Sequence, residues 1–291
     1  MLLTASAAMA SPPSAARVDT IRSRADSVAR GVRWFPDTTA FAPLLADPRD
    51  TWLRGGFVLA DRPNLDDGPQ PSDFDGRNIE AEVSIGHRLP VVRLQRESAD
   101  APSIVVGFEV GIFSRFFMET SQKDLINADF RVGAPVSFGY RDWEARIELR
   151  HISSHFGDDY VNRFSPDLKQ VSQEGFELLL ARHLHRDLRV YVGGAYNFGA
   201  TNTERTSGQA GLEYDPGSRV ASRNVWPYVA ADVRITSLTQ EAAGTGVGGV
   251  GFRVEGFVIR LEGRGHFGPS PMGRFRTVDE NFWGLGLRIE P

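Results

Sequence analysis

The sequence lacks several features that would assign it to a common functional class. It has no cysteine, which excludes disulfides, thiolate metal sites and a cysteine nucleophile. Its formal net charge is -4 at pH 7, without the basic surplus that nucleic-acid-binding proteins need, so we expect no nucleic-acid partner. No uninterrupted apolar run reaches the about 20 residues that a transmembrane helix requires. These absences leave a soluble β-protein or a membrane protein built from strands.

Apolar residues alternate with polar or small ones over long segments. The period of two persists through runs such as residues 127–138, whereas a globular strand usually spans about 5 or 6 residues. Strands of this greater length suit a tilted membrane crossing. The sequence therefore predicts an all-β fold, a single antiparallel up-and-down transmembrane β-barrel of about 10 to 12 strands with a short N-terminal lead-in, in the bacterial outer membrane.

The chain is predicted to contain three regions. Residues 1–10 are apolar and end in A-M-A, which is typical of a secretory signal peptide. The usual basic region is missing, so we predict a signal peptide with a truncated or misassigned start, with a flexible tail as the alternative. Residues 11–51 are predicted as a periplasmic lead-in or plug segment, because the prolines of F-A-P-L-L-A-D-P-R, residues 41–49, forbid a continuous helix or central strand. Residues 52–291 are predicted to form the barrel.

Two further predictions concern the C-terminal part of the barrel. The apolar parity changes between Val254 and Phe257, which predicts a bulge at Gly256 within one strand. The last strand places Trp283, Leu285, Leu287 and Ile289 on one face. It resembles the terminal strand that bacterial barrel proteins present for assembly, so the barrel-assembly machinery is an expected partner.

The strand that begins at Trp143 has a clear two-sided pattern. Its apolar and charged faces are Trp143, Ala145, Ile147 and Leu149, and Glu144, Arg146, Glu148 and Arg150. In a membrane barrel the charged face lines the lumen, whereas in a soluble sandwich or lipocalin-like barrel it would point outward. Together with Asp129 and Arg131, these mixed charges favour a salt-bridged interior over a selective channel, which would use rings of one sign. A non-enzymatic structural barrel or a narrow pore is therefore one functional class.

The same strand ends in the motif R-H-I-S-S-H-F-G-D-D-Y, residues 150–160. Short turns of such barrels are periplasmic and long loops extracellular, so this strand is predicted to run outward. From Trp143 to His151 it climbs roughly 20 Å, at about 3.3 Å per residue and a tilt near 40°. His151, Ser153 and His155 share the parity of the apolar face. They are therefore predicted to face lipid near the outer headgroups.

The H-x-S spacing places an imidazole and a hydroxyl side by side on one strand face. His151 can then take the Ser153 proton as general base while the alkoxide attacks an ester. Glu174 would orient the imidazole, because it lies opposite His151 if Leu149 pairs with Phe176. The sequence thus predicts hydrolysis of an acyl ester of an outer-leaflet lipid of the outer membrane, with His151, Ser153 and Glu174 as catalytic residues.

The motif also allows non-catalytic interpretations. In the first, its histidines and serines are interfacial polar residues that end the lipid-facing strip and hydrogen-bond to headgroups, since H-x-S is a short pattern that recurs by chance. Asp158 and Asp159, with His155, are candidate ligands for a cation such as calcium that bridges lipid phosphates. Elsewhere, His183 and His185 form an H-x-H pair that could hold a metal, although a basic turn contacting phosphates is the simpler interpretation.

Two resemblances extend these predictions. The H-x-S arrangement resembles the outer-membrane phospholipase and lipid A deacylase families, in which asparagine follows the serine; here Ser154 stands in that place, so only His151 and Ser153 correspond. Three segments together, F-A-P-L-L-A-D-P-R, D-L-I-N-A-D-F-R-V-G-A-P and H-I-S-S-H-F-G-D-D-Y, resemble the domain-of-unknown-function family 1207 of bacterial envelope proteins. This second resemblance implies a secreted, barrel-like protein and brings no established activity.

Overall fold

The computed structural model describes residues 31–61, 77–95, 101–217 and 224–290. Within these ranges, 12 antiparallel strands close into a barrel in which each strand pairs with the next along the chain and the last pairs with the first. A short additional strand pairs with one end of the second barrel strand. The predicted single up-and-down barrel is therefore confirmed. The predicted signal peptide lies outside the described residues.

The elements follow the sequence alternation closely. The strands are β1 (Val32–Trp34), β2 (Leu53–Asp61), β3 (Arg77–Gln95), β4 (Ser103–Phe117), β5 (Leu125–Tyr140), β6 (Trp143–Phe156), β7 (Val171–His185), β8 (Leu188–Thr201), β9 (Thr206–Tyr214), β10 (Val225–Thr236), β11 (Ala242–Val254), β12 (Phe257–Phe267) and β13 (Asn281–Glu290). Helix α1 (Asp158–Phe164) follows β6, and a 3-10 turn (Gly273–Phe275) precedes β13. Among the described residues, no helix is long and apolar enough to cross a membrane.

The two ends of the barrel differ in their connections. Two-residue turns join β5 to β6, β7 to β8 and β11 to β12 at one end, which we name the turn end. The opposite end carries longer connections, including α1, and we name it the loop end. The predicted bulge at Gly256 is wrong, because Glu255 and Gly256 have φ of 46° and 93° and form the turn between two separate strands. Positive φ at both central residues is the geometry of a type I′ turn, one of the two turn types most common in two-residue hairpins.

The faces of the barrel wall are arranged as a membrane barrel requires. Apolar side chains such as Phe57, Leu178 and Leu285 point outward and are exposed, whereas Glu144, Arg146 and the other charged side chains of β6 are buried in the lumen. An apolar outer band with a polar interior is typical of outer-membrane barrels. This sidedness excludes the soluble sandwich, in which the charged face would be exposed.

Residues 35–52, which we name the inner segment, run through the lumen from the turn end. Phe41, Leu44 and Trp52 are buried there. Side chains of the barrel wall form hydrogen bonds with the backbone of this segment. Arg189 donates to the Ala42 carbonyl at 2.9 Å, and the Leu45 N–H donates to Glu213 at 2.6 Å. Such partners replace the hydrogen bonds that a buried irregular backbone cannot make within a helix or sheet.

Residues 268–280, the β12–β13 connection, fold into the lumen from the loop end. The Gly273 N–H donates to Asp129 Oδ2 at 2.8 Å, and the same oxygen accepts a hydrogen bond from Arg49 of the inner segment at 3.2 Å. Asp129 thus joins the two internal segments. An apolar cluster packs this connection against α1 and the wall: Phe117, Ile126, Tyr160, Phe164, Met272 and Phe275.

A network of buried ion pairs lies on the lumen side of β3 to β7. Arg131 contacts Glu109 at 3.0 Å, Glu148 at 2.7 Å and Glu177 at 3.6 Å. Further pairs extend the network to Arg88, Arg146, Arg150 and Asp50. Four arginines therefore face four acids, and the network is neutral as a whole. Such pairing is needed because an unpaired buried charge is costly.

Candidate functional site

The H-x-S motif lies at the loop end of β6, between β5 and β7. The pairing on which the catalytic prediction depended is present: Leu149 pairs with Phe176, and His151 pairs with Glu174. On the other side, Ser153 pairs with Phe130 of β5. The strand ladder therefore brings His151, Ser153 and Glu174 to one outward-facing patch.

The side chains of this patch partly meet the requirements of a catalytic triad. His151 Nδ1 lies 3.3 Å from Glu174 Oε1, and both side chains are about half exposed on the outer face. A carboxylate at Nδ1 favours the tautomer that carries its proton there, which leaves Nε2 free to accept a proton. Among the described residues, no hydrogen bond joins Ser153 to His151. In resting enzymes this bond is often long and tightens only with substrate bound.

A bulge beside Glu174 is a feature that the sequence analysis missed. Glu174 pairs with Gly199 and Gly175 with Asn197, so Phe198 is the extra residue in β8. Gly199 has no side chain to occupy the space beside Glu174, and a Cβ there would lie 3.0 Å from Glu174 Oε2. An isolated glycine inside a strand pattern indicates such a bulge, and bulges are common beside active sites.

The inward face of the same strand end is tightly packed. Ile152 and Ser154 point into the lumen and are buried. A Cβ on Gly273 would collide with Ser154 Oγ, so the β12–β13 connection lies directly against the strand. Ser154 is thus unable to act on the outer face. This packing holds the backbone of β6 in place and so fixes the positions of His151 and Ser153 on its outer face.

The predicted cation site is not assembled in the structure. Asp158 and Asp159 are exposed in the first turn of α1, whereas His155 points outward and packs its ring edge-on to Phe130 at 5.8 Å. In the part of the chain that the structure describes, no group of three or more histidine, aspartate or glutamate side chains is placed to hold a metal ion.

Two other pairs of titratable side chains lie in contact, one at each end of the barrel. His183 of the H-x-H pair lies 2.7 Å from Glu144 at the turn end, so its ring contacts a carboxylate of the lumen wall. In the loop after α1, a hydrogen bond from Lys169 lowers the pKa of Asp167. This exposed ion pair lies in the connection between β6 and β7, at the end of the barrel that carries the H-x-S motif.

Comparisons with known proteins agree with the barrel architecture. The model of a family described as "Protein of unknown function (DUF1207)" matches residues 4–290. A search of curated proteins found no match. Outer membrane phospholipase A from Escherichia coli is similar at a TM-score of 0.56 and 12% identity, over 82% of this chain and 92% of that chain.

Two other solved structures illustrate the range of the similarity. The Salmonella typhi outer membrane phospholipase dimer with bound calcium matches at a TM-score of 0.55 and 11% identity, over 82% of this chain and 90% of that chain. The KdgM porin matches at 0.42 and 9% identity, over 82% and 99%. At 12% and 11% identity, the two phospholipase structures establish the outer-membrane barrel fold and no activity.

Proposed function

This chain belongs to the DUF1207 family of proteins of unknown function, and we propose that it is an outer-membrane hydrolase that cleaves an acyl ester of an outer-leaflet lipid. The observation that carries the proposal is the contact between His151 and Glu174 on the outer face, at 3.3 Å. Ser153 lies two residues along the same face. A histidine oriented by a carboxylate beside a serine is the arrangement that activates a hydroxyl nucleophile.

The reaction would follow the usual course of serine acyl transfer. Ser153 Oγ attacks the ester carbonyl while His151 Nε2 accepts its proton, and Glu174 stabilises the imidazolium. The tetrahedral intermediate breaks its bond to the alcohol oxygen, which takes the proton from His151. Water then attacks the acyl-enzyme with His151 again as base, which releases a fatty acid and regenerates Ser153.

The barrel geometry suits a lipid substrate. Below Ser153 the outer face carries exposed apolar side chains, among them Leu149, Ile147 and Phe176, along which acyl chains could lie. The loop end would face outward, since long connections of such barrels are extracellular. The ester of a lipid in the outer leaflet would then meet Ser153 at the level of the headgroups. Insertion would depend on the barrel-assembly machinery recognising β13.

The test is the release of fatty acid by detergent-refolded protein. Phospholipid and lipopolysaccharide are supplied separately in mixed micelles, and each reaction is run with calcium and with a chelator. We expect release from at least one lipid. Dependence on calcium would keep Asp158 and Asp159 as candidates for bridging a cation to a lipid phosphate, and independence would leave them without that role.

The same assay decides against the proposal if folded protein releases no fatty acid above a blank from either lipid, with or without calcium. His151, Ser153 and His155 would then be interfacial residues that contact headgroups. The non-enzymatic alternative, a structural barrel or narrow pore, would take the place of the hydrolase.

Gly199→Val is expected to lower the turnover number by about 10²-fold, the lower end of what a correctly positioned general base contributes. The valine side chain would occupy the space beside the Glu174 carboxylate and displace it from His151. The matched control is Gly246→Val, because Gly246 also faces outward and a Cβ there meets nothing within 4 Å. Initial rates on a micellar ester measure the effect. Equal rates in both variants would show that Glu174 does not position His151.

A further inference from the structure

An ester hydrolase must also stabilise the negative oxygen of the tetrahedral intermediate. Many enzymes use unpaired backbone N–H groups for this purpose. Among the described residues, the backbone groups beside Ser153 are used in strand pairing, because β6 is paired on both sides at this position, to Phe130 of β5 and to Ser172 of β7. The N–H groups around the serine therefore donate to the carbonyl groups of the neighbouring strands. Any stabilising donors must therefore come from side chains on the outer face.

Four positions adjoin Ser153 on that face of the paired strands. Two are its cross-strand partners, Phe130 and Ser172. The other two are its neighbours at a spacing of two residues, His151 and His155. Phe130 has no polar hydrogen, and His151 is needed as the base. Of these four positions, Ser172 and His155 are the two that can supply further hydrogen-bond donors.

Both of these side chains lie beside Ser153, where the carbonyl oxygen of a bound ester would gain its negative charge. The Cβ atoms of a directly opposed antiparallel pair lie about 4.5 to 5.5 Å apart, which brings the Ser172 hydroxyl beside Ser153. His155 contacts Phe130, the other partner of Ser153, at 5.8 Å between ring centroids. Within the described residues, neither the Ser172 hydroxyl nor the His155 ring makes a hydrogen bond. Their donors are thus available to a substrate.

On the basis of the proposed hydrolase function, we propose that Ser172 and His155 together stabilise the oxyanion formed at Ser153. Ser172 donates its hydroxyl hydrogen and His155 donates a ring N–H to the carbonyl oxygen as it gains charge. Neither group transfers its proton. This assignment gives His155 a role in ester cleavage in place of a cation ligand.

The experiment compares donor-removing and donor-keeping substitutions in the refolded barrel. Ser172→Ala and His155→Phe remove the donors, whereas Ser172→Thr and His155→Gln keep one. Removal of a single oxyanion donor lowers the turnover number on the order of 10²-fold, and we expect a loss of that scale with little change in KM. The controls are Ser114→Ala and His87→Phe, which change the same residue types on β4 and β3. Both controls should retain the wild-type rate.

Inhibition by a long-chain alkyl trifluoromethyl ketone separates oxyanion stabilisation from a structural effect. The ketone forms a tetrahedral adduct with an active serine, so its affinity should fall in Ser172→Ala and His155→Phe in proportion to the lost turnover. The donor-keeping variants should bind it nearly as tightly as the wild type.

The outcomes distinguish this inference from the proposed function. Activity that requires Ser153 and His151 but survives both Ser172→Ala and His155→Phe overturns the oxyanion assignment alone. A wild-type protein without activity, or one indifferent to Ser153→Ala, overturns both. Loss of rate in the donor-removing variants without weaker inhibition by the ketone also rejects the assignment.

Discussion

Ser153→Ala and His151→Ala are each expected to lower fatty-acid release to background, a loss of up to about 10⁶-fold, the scale seen when a nucleophile or its base is removed from a serine hydrolase. The two substitutions remove opposite halves of one proton transfer. Their combined effect should therefore be close to that of either alone. Initial rates on the lipid that the wild type cleaves best provide the measurement.

Ser154→Ala is the matched control for that experiment. Ser154 follows Ser153 directly, yet its side chain points into the lumen and is buried. It should therefore keep the wild-type rate, provided that heat-modified gel mobility shows a folded barrel. Equal activity in the Ser153→Ala and Ser154→Ala variants would contradict the catalytic assignment, because strand parity is what separates the two serines.

Strand parity is also the reason why much of this structure could be predicted. Each residue of a strand points to the opposite face from its neighbour, so one apolar strip fixes the direction of every side chain along β6. That rule placed Ser153 outside and Glu148 inside the barrel, as the structure has them. The pairing of Leu149 with Phe176 had to be assumed, because shared parity fixes the face of two adjacent strands and leaves their register free to shift by two residues; the structure has the assumed pairing.

Features that depend on contacts distant in sequence could not be predicted in this way. The inner segment is held by wall residues up to 243 positions away, as in the bond from Arg288 to the Leu45 carbonyl. Helix α1 packs against the β12–β13 connection through Tyr160 and Phe275, a partnership that no local pattern records. Sequence alone does not distinguish the turn at Gly256 from a bulge, because either feature moves the apolar residues from odd to even positions, or the reverse.

Arg131→Met is expected to lower the free energy of unfolding by about 3 to 5 kcal/mol, the usual cost of breaking a buried ion pair from one side. Arg131 contacts three glutamates in the lumen, so its loss leaves the network with one excess negative charge. It also removes a donor to the Arg49 carbonyl of the inner segment. Urea unfolding in detergent, followed by tryptophan fluorescence, measures the change.

The double variant Arg131→Met with Glu148→Met tests whether charge balance is the cause. Removing one charge of each sign restores neutrality, so the double variant should lose less stability than the sum of the two single variants. Arg205→Met, at an exposed arginine of the loop end, should change stability by no more than about 0.5 kcal/mol. Additive losses in the double variant would refute the charge argument.

The two largest predicted effects should also separate from each other. Glu148 and Ser153 stand on the same strand but on opposite faces of it. Ser153→Ala removes a hydroxyl from the lipid-facing side and leaves the ion pairs intact, so it should abolish turnover and preserve stability. Arg131→Met should lower stability and preserve turnover at temperatures where the variant stays folded, because the strand pairing keeps the outer residues in register. Loss of both properties in either variant would mean that the lumen network and the outer site are energetically coupled.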